Sequence, residues 1–248
     1  MKFDWSYFLN LFPQLIPYIP LTILMAIAAM VLAVVLGAAL TLVYLYALKP
    51  FQGLVKLYVS FFRGVPTLVL LFIIYYGLPE IFPVFKGVPA TAAAIAGLGG
   101  VKESAYLIEI FRAGITSVDQ GQIEAGESLN FSYAKIFCNI VLPQAALNAL
   151  PATGNTFVSL LKETSLAFTL GVTEIFADGK LLASASLRFF EVYVAVGLIY
   201  WFLIVLYSWA QRSVENILEA PYRRVENAID KSEEPRSAVW KEEGLKQH

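Results

Sequence analysis

The chain has 248 residues, of which 58% are hydrophobic and 15% charged, and its formal net charge is −1. Soluble domains have about 45–50% apolar and about 25% charged residues on comparable counts, so this chain has too little charge to cover a soluble surface. The single cysteine excludes a disulfide scaffold, and the near-neutral charge gives no argument for a nucleic-acid partner. The composition therefore predicts an integral membrane protein that is surrounded by lipid and binds no nucleic acid.

Apolar stretches predict an all-α membrane protein with about five transmembrane helices. They cover residues 21–48, 54–79, 88–115, 136–161 and 192–211. The first stretch, as a helix, is long enough to cross a hydrocarbon core of roughly 30 Å. Pro13, Pro17 and Pro20 interrupt the sequence before it, so residues 1–20 are predicted to form an interfacial segment.

The positions of lysine and arginine predict the orientation, because these residues are enriched in the cytoplasmic loops of membrane proteins. If the N-terminus lies outside, then Lys49, Lys56, Lys135 and most basic residues near the C-terminus lie inside. Residues 21–218 are then predicted to be the transmembrane domain, and residues 219–248 a cytoplasmic C-terminal tail.

A polar, helix-forming segment, residues 117–135, separates the third and fourth apolar stretches. Two pairs have the spacing of a capping box at a helix start: Ser117 with Gln120, and Asp119 with Gln122. Asn130 can end this helix, since asparagine tolerates the left-handed backbone conformation. The segment therefore predicts a short helix on the inner face of the membrane, with Leu129 and Phe131 exposed for docking.

The fourth apolar stretch is the strongest candidate for a polar pathway. Pro143, Pro151 and Gly154 are predicted to break its helix, and broken helices form the polar sites of many transporters. Polar and charged residues follow the predicted break: Asn155, Ser159, Lys162, Glu163 and Thr164. Lys162 and Glu163 offer partners for the carboxylate and ammonium groups of an amino acid, or they pair with each other at the outer surface.

Charged residues also lie within or beside the second and third stretches. Glu109 and Arg112 are three residues apart and can pair on one helix face, one turn after Tyr106. Ionisable groups at membrane depth commonly face a cavity or a partner, so these residues form either part of a gate or a structural ion pair. Arg63 is predicted to be an interfacial anchor, with a gate contact as the alternative.

The polar segment between the third and fourth stretches matches a known motif. Glu124-Ala125-Gly126, Asn130 and Ile140-Val141-Leu142-Pro143 have the spacing of the EAA motif, E-A-A-x3-G-x9-I-x-L-P, and so resemble permeases of polar amino acid ABC importers. Gly126 replaces the third alanine of the motif, and Asn130 replaces its glycine. Other runs that look like this family are FRGVPT (62–67), ESAY (103–106), EIFRAG (109–114) and LKETSL (161–166), the last with glutamate where aspartate is common.

The resemblance implies a type I ABC importer transmembrane domain whose cytoplasmic coupling helix, at residues 119–131, docks a separate ATPase. The implied docking residues are Glu124, Ala125, Gly126, Glu127, Leu129 and Asn130. In related permeases the stretch matching Lys162, Glu163 and Thr164 lines a pocket for the amino acid.

The resemblance also implies the assembly and its location. The implied partners are two ABC ATPase subunits, a second copy or paralogue of the permease, and an extracytoplasmic amino acid-binding protein. ATP and magnesium would bind to the ATPase, and this chain would hold no cofactor of its own. The whole assembly would lie in the inner membrane of a bacterium.

Two rival functions have weaker support. A secondary transporter or channel for small polar solutes would also bury charges, but it would not need the exposed helix. An intramembrane enzyme would need catalytic residues, yet the only histidine is His248, and neither an HExxH nor a GxSxG motif occurs. The GxxxxGK[ST] phosphate loop is missing too, so we expect a transport subunit without catalytic residues or metal ligands.

Overall fold

The computed structural model describes residues 3–245, with side chains described as far as Ala220. Helices dominate this range, and no strand occurs within it. The α-helices in chain order are α1 (Trp5–Leu15), α2 (Ile19–Tyr46), α3 (Lys49–Gly64), α4 (Thr67–Phe72), α5 (Leu78–Ile81), α6 (Ala90–Ile95), α7 (Ser104–Thr116), α8 (Gln120–Ser128), α9 (Tyr133–Ile136), α10 (Leu142–Glu163), α11 (Ile175–Ser186) and α12 (Phe189–Leu245). The predicted all-α fold class is confirmed.

Shorter helices of other types join or extend these α-helices. Short 3₁₀-helices occur at Ile16–Tyr18, Pro83–Phe85 and Thr164–Leu170. Three π-helices occur at Ile73–Gly77, Ala96–Glu103 and Phe137–Val141 of the described residues. A π-helix is uncommon and is frequently found at a functional site. The π-helix Ala96–Glu103 ends in two buried charged residues, Lys102 and Glu103.

Three helical stretches are long and apolar enough to span a membrane: Trp5–Tyr46, Tyr133–Leu170 and Phe189–Ala220. A fourth exists if the bent pair Lys49–Gly64 and Thr67–Ile81 counts as one span. A fifth span would have to be formed by helical residues 90–116. Glycines and the charged Lys102 and Glu103 lower the hydropathy of this stretch. Length and composition of the described residues therefore support three or four spans rather than five.

The second apolar stretch is bent rather than straight. Helix α3 ends at Gly64, and the helical residues from Thr67 to Ile81 continue at an angle of 110° to it. Pro66 disfavours helical backbone at the residue before it, and Val65 is accordingly extended, with φ −91° and ψ 134°. A sharp break therefore exists, but in the second stretch and not in the fourth.

The fourth stretch forms one continuous helix, so the predicted break in it is wrong. Helix α10 passes through Pro151 and Gly154 without interruption and ends at Glu163. Pro143 follows directly after the π-helix Phe137–Val141, and the chain passes through it into α10 without a break. An interior proline such as Pro151 is tolerated in membrane helices, because neighbouring groups satisfy the freed carbonyl.

Small residues allow α2 to lie very close to the third stretch. Ala29, Ala33 and Gly37 of α2 are buried, as expected for a stripe of small residues at a spacing of four. The third stretch has small residues at the same spacing, Ala92, Ala96 and Gly100, but Ala92 is exposed. Instead Gly99 lies against Ala29, so close that a Cβ atom on Gly99 would be 1.9 Å from the Ala29 carbonyl oxygen.

Helix α1 contributes to the core of the protein. Leu11 and Leu15 are fully buried and pack with Val192 and Ala195 of α12. Pro13 lies inside α1 and does not end it, contrary to the predicted interruption. The interfacial position of residues 1–20 stays a prediction.

The start of α1 is held by Asp4. Its carboxylate accepts hydrogen bonds from the backbone N–H of Tyr7 at 3.0 Å and from the Arg188 guanidinium at 2.8 Å. The Tyr7 bond, together with the charge of Arg188, lowers the pKa of Asp4 below its usual value. Arg188 directly precedes α12, so this pair connects the beginnings of the first and last helices.

Residues up to Ser208 form one compact unit, and the residues from Trp209 onward form a second. Helix α12 continues as far as Leu245, into the residues that the sequence predicts to form the cytoplasmic tail. The boundaries 21–218 and 219–248 stay predictions, and the last three residues of the tail lie outside the described residues.

Candidate functional site

Helix α8 is exposed, as the polar segment predicts, while its docking role stays a prediction. Glu124, Ala125 and Glu127 are exposed on it, and only Gly126 is buried. Asp119 precedes the helix without a side-chain capping bond, so the predicted capping box does not form. In an exposed helix, water can satisfy the first backbone N–H groups instead.

The end of α8 is closed by a Schellman motif, as expected from the asparagine. Asn130 has a left-handed backbone with φ +55°. The N–H of Phe131 donates to the carbonyl of Gly126 at 3.1 Å, and the N–H of Asn130 donates to the carbonyl of Glu127 at 2.8 Å. Leu129 is 67% exposed beside this turn and presents an apolar side chain to the surroundings.

The buried side of α8 explains the glycine that departs from the EAA motif. A Cβ atom on Gly126 would lie 3.0 Å from Cγ1 and 3.2 Å from Cδ1 of Ile136. Ile136, itself 2% exposed, thus fills the space that an alanine methyl group would take. An alanine here would therefore require Ile136 to shift by a few tenths of an ångström, whereas the glycine needs no such shift, at a helix-propensity cost of about 1 kcal/mol relative to alanine.

We expect replacement of Asn130 by valine to unfold the end of the docking helix. A β-branched residue is strongly disfavoured at φ +55°, and strain of this kind costs about 1–3 kcal/mol. Asn130→Gly, which restores the residue of the motif, should leave the helix intact. Hydrogen exchange of the 126–131 amides measures the effect, and equal protection in both variants would contradict the assignment.

A polar cavity of about 370 Å³ lies between α7, the preceding π-helix and α10. Its volume is within the range of roughly 300–1,000 Å³ that small-molecule sites have. Three predicted pathway residues, Asn155, Ser159 and Glu163, line it on α10 together with Thr156. Tyr106, predicted as a possible gate residue, lines the opposite side.

Two predicted pathway residues do not line this cavity. Lys162 is exposed on another face of α10. Thr164 is fully buried, and its hydroxyl donates to the carbonyl of Leu161 at 2.7 Å. The alternative pairing of Lys162 with Glu163 is also wrong, since the carboxylate of Glu163 pairs with Lys102.

Lys102 and Glu103 are cavity residues that sequence reasoning missed. The Lys102 ammonium donates to Glu103 Oε1 at 2.7 Å and also to Glu163 Oε1. The Lys102–Glu163 contact joins residues 61 positions apart, so no local pattern predicts it. The available signal was the presence of adjacent opposite charges, directly after a glycine-rich apolar run, because charges at membrane depth usually face a partner or a cavity.

The predicted ion pair between Glu109 and Arg112 is present. Arg112 Nη2 donates to Glu109 Oε2 at 2.9 Å, and both side chains are about one-third exposed. The Arg63 guanidinium lies 5.0 Å from the centre of the Tyr106 ring, which favours the alternative of a contact near the cavity for Arg63. A gating role for these residues stays a prediction.

Apolar helices, a charged cavity between them and an exposed connecting helix define a membrane permease. Residues 33–218 match the family described as binding-protein-dependent transport system inner membrane component, so the chain belongs to this family. The chain is similar to the probable amino-acid permease protein YxeN of Bacillus subtilis (strain 168), with 52% identity over 89% of this chain and 98% of that protein. It is also similar to the probable amino-acid ABC transporter permease protein PatM of Vibrio harveyi, with 42% identity over 90% of this chain and 100% of that protein.

Solved structures support the same class. A chain of an amino acid ABC transporter crystallised with histidines superposes with a TM-score of 0.79 and 30% identity, over 87% of this chain and 99% of that chain. The MetNI methionine ABC transporter, at 16% identity and a TM-score of 0.70, shares the fold, over 88% of this chain and 99% of that chain. The protein is therefore a membrane-spanning permease component of an amino acid ABC transporter.

Proposed function

We propose that the chain is the permease subunit of an ATP-driven importer of polar amino acids, and that α8 docks the ATPase that drives it. The observation that carries this proposal is the exposed α8, which ends in a defined turn and leaves the Leu129 side chain exposed. The docking residues are Glu124, Ala125, Gly126, Glu127, Leu129 and Asn130. A binding protein outside the cell delivers the amino acid, and ATP and magnesium bind to the ATPase.

Contacts to α10 from α8 and from Ser117, which lies in the turn before α8, support a mechanical link from the docking surface to the cavity. The Gln144 side-chain amide donates to Gln122 Oε1 at 2.7 Å, and Asn148 donates to the Ser117 hydroxyl at 2.8 Å. Gln144 and Asn148 lie on α10, the same helix that lines the cavity with Glu163. A movement of α8 imposed by ATP binding would therefore move α10 and change access to the cavity, provided that the two states differ in affinity for the closed ATPases.

The assembly that follows from this proposal has two permease chains, identical or paralogous, and two ATPase subunits. It lies in the inner membrane of a bacterium, with the N-terminus outside and the C-terminus in the cytoplasm. The distribution of lysine and arginine supports this orientation, since α8 and Lys135 then face the cytoplasm.

Reversing the charge of Glu124 tests the docking role. We expect Glu124→Lys to reduce the ATPase that co-purifies with the tagged permease by at least about tenfold, which corresponds to about 1.4 kcal/mol of lost affinity. Amino acid uptake should fall with it. The matched control is Glu80→Lys, which reverses an exposed charge on α5, away from α8.

The outcome separates this proposal from a transporter that needs no ATPase. Unchanged co-purification and uptake in Glu124→Lys would contradict docking through α8. Uptake by the purified permease without any ATPase would favour a secondary transporter or channel.

A further inference from the structure

We infer that Lys102 occupies the place which the ammonium group of the transported amino acid takes, and that substrate displaces Lys102 from Glu163. Lys102 then remains paired with Glu103. This role rests on the proposed function, because it requires that an amino acid passes through the cavity beside α10.

The two carboxylates that Lys102 contacts have different surroundings. The Glu103 side chain is 3% exposed, whereas the Glu163 side chain is 26% exposed, and both line the cavity. Glu103 is thus the enclosed partner and Glu163 the accessible one. A ligand entering the cavity would reach Glu163 first, while the Lys102–Glu103 pair could stay together behind it.

Glu163 also has an unused hydrogen-bonding atom. Its Oε1 accepts from Lys102, but its Oε2 is buried and has no partner within the described residues. A buried acceptor without a partner costs about 1–3 kcal/mol, and more when the group is charged. Lys102 gives one of its three donors to Glu103, whereas a substrate ammonium could give donors to both oxygens of Glu163 and so satisfy this carboxylate better.

The rest of the cavity suits the carboxylate of an amino acid. Asn155 and Ser159 line the cavity one helical turn apart on α10, and both side chains carry donors. The Arg63 guanidinium lies 5.0 Å from the centre of the Tyr106 ring, so positive charge other than that of Lys102 stands near the site. A zwitterion would therefore find acceptors and donors within one cavity.

The exchange preserves the balance of buried charge. When one ammonium replaces another at Glu163, neither carboxylate is left unpaired, and an unpaired buried charge would cost several kcal/mol. Lys102 also bridges the π-helix Ala96–Glu103 and α10, so the bridge opens only when a ligand supplies an ammonium. Lys102 thus competes with the substrate ammonium for Glu163 and lowers substrate affinity. Substrate entry also breaks the ion pair that joins the π-helix to α10.

The test uses the permease–ATPase complex purified in detergent and three probes: L-glutamine, L-arginine and L-cystine. The double variant Lys102→Met/Glu103→Gln removes one charge of each sign, so the net charge of the cluster stays the same. We expect at least one probe to bind this variant about tenfold more tightly than the unmodified complex. The N-acetyl derivative of that probe, which has no ammonium group, should show no gain.

Two further variants make the result specific. Glu163→Gln should weaken the binding of every probe that the unmodified complex binds by at least about tenfold, and it decides the question if the double variant does not fold. Asp4→Asn/Arg188→Met removes one charge of each sign from the ion pair between the starts of α1 and α12. Neither residue lines the cavity, so this variant should leave probe affinity unchanged. Calorimetric titration measures all of these affinities.

Each outcome has a defined meaning. Tighter binding by the double variant together with weaker binding by Glu163→Gln supports the inference. Where the unmodified complex binds too weakly to measure, measurable binding by the double variant supports it. Equal or weaker affinity in the double variant, unchanged affinity in Glu163→Gln, or no binding of any probe to any form overturns it. Co-purification of the ATPase is measured separately in the same preparations, since its loss would contradict the docking proposal and not the role of Lys102.

Discussion

Replacing Gly99 with alanine is expected to prevent the normal packing of α2 against the third stretch and to destabilise the protein by more than about 3 kcal/mol, beyond the usual cost of an overpacked core. The added Cβ would lie 1.9 Å from the carbonyl oxygen, 2.4 Å from the carbonyl carbon and 2.5 Å from the Cα of Ala29. These are backbone atoms of a long helix, so no side-chain rotation can relieve the contact. The yield of folded protein and its apparent melting temperature in detergent measure the effect.

Gly197 provides the matched control for this prediction. It is an exposed glycine inside α12, and a Cβ placed on it meets nothing within 4 Å. Gly197→Ala should therefore be neutral or stabilising by up to about 1 kcal/mol, the helix-propensity difference between the two residues. If Gly99→Ala were as stable as Gly197→Ala, the close approach of α2 and the π-helix would be wrong.

Features that depend on a few neighbouring residues could be predicted from the sequence. The end of α8 follows from Asn130, because asparagine tolerates the left-handed backbone that a Schellman motif requires. The buried stripe on α2 follows from the spacing of Ala29, Ala33 and Gly37, since that helix is regular throughout. The pairing of Glu109 with Arg112 likewise needs only the geometry of one helical turn.

Features that depend on a change of helical phase or on distant contacts could not be predicted. The π-helix Ala96–Glu103 shifts the faces of the third stretch, so Gly99, which does not belong to the row Ala92, Ala96 and Gly100, lies against α2. The positions of the prolines alone also do not predict where a helix breaks. Pro151 is accommodated inside α10, whereas Pro66 ends regular helix, and the difference lies in the surrounding packing and not in the residue.

The residues of the cavity also differ in this respect: some could be predicted from their spacing along one helix, and others are placed by contacts between distant parts of the chain. Asn155, Ser159 and Glu163 were within reach of sequence reasoning because they repeat along one face of α10. Lys102 and Glu103 were not assigned to the pathway, since their position depends on how the π-helix packs against α10. The sequence thus predicts one wall of the cavity, and the structure supplies the charged residues of the other.

Removal of the Glu174 carboxylate is expected to destabilise the protein by about 3–5 kcal/mol. Glu174 is fully buried directly before α11, and it accepts hydrogen bonds from the N–H groups of Phe176 at 2.9 Å and Ala177 at 2.8 Å and from the Tyr200 hydroxyl at 2.7 Å. Glu174→Ala leaves these three donors without an acceptor and also creates a cavity. The apparent melting temperature in detergent is the measurement.

Two conservative variants separate the contributions at this site. Burial raises the pKa of the Glu174 carboxyl, so its negative charge is costly there. Glu174→Gln should lose less stability than Glu174→Ala, because the amide oxygen still accepts from one of the two helix N–H groups and no cavity forms. Tyr200→Phe removes one of the three bonds and should cost about 1 kcal/mol. A melting temperature of Glu174→Ala equal to that of Tyr200→Phe would mean that Glu174 does not hold the start of α11. The expected order, with alanine well below both, would show that this buried carboxylate fixes α11 against α12 through hydrogen bonding rather than through its charge.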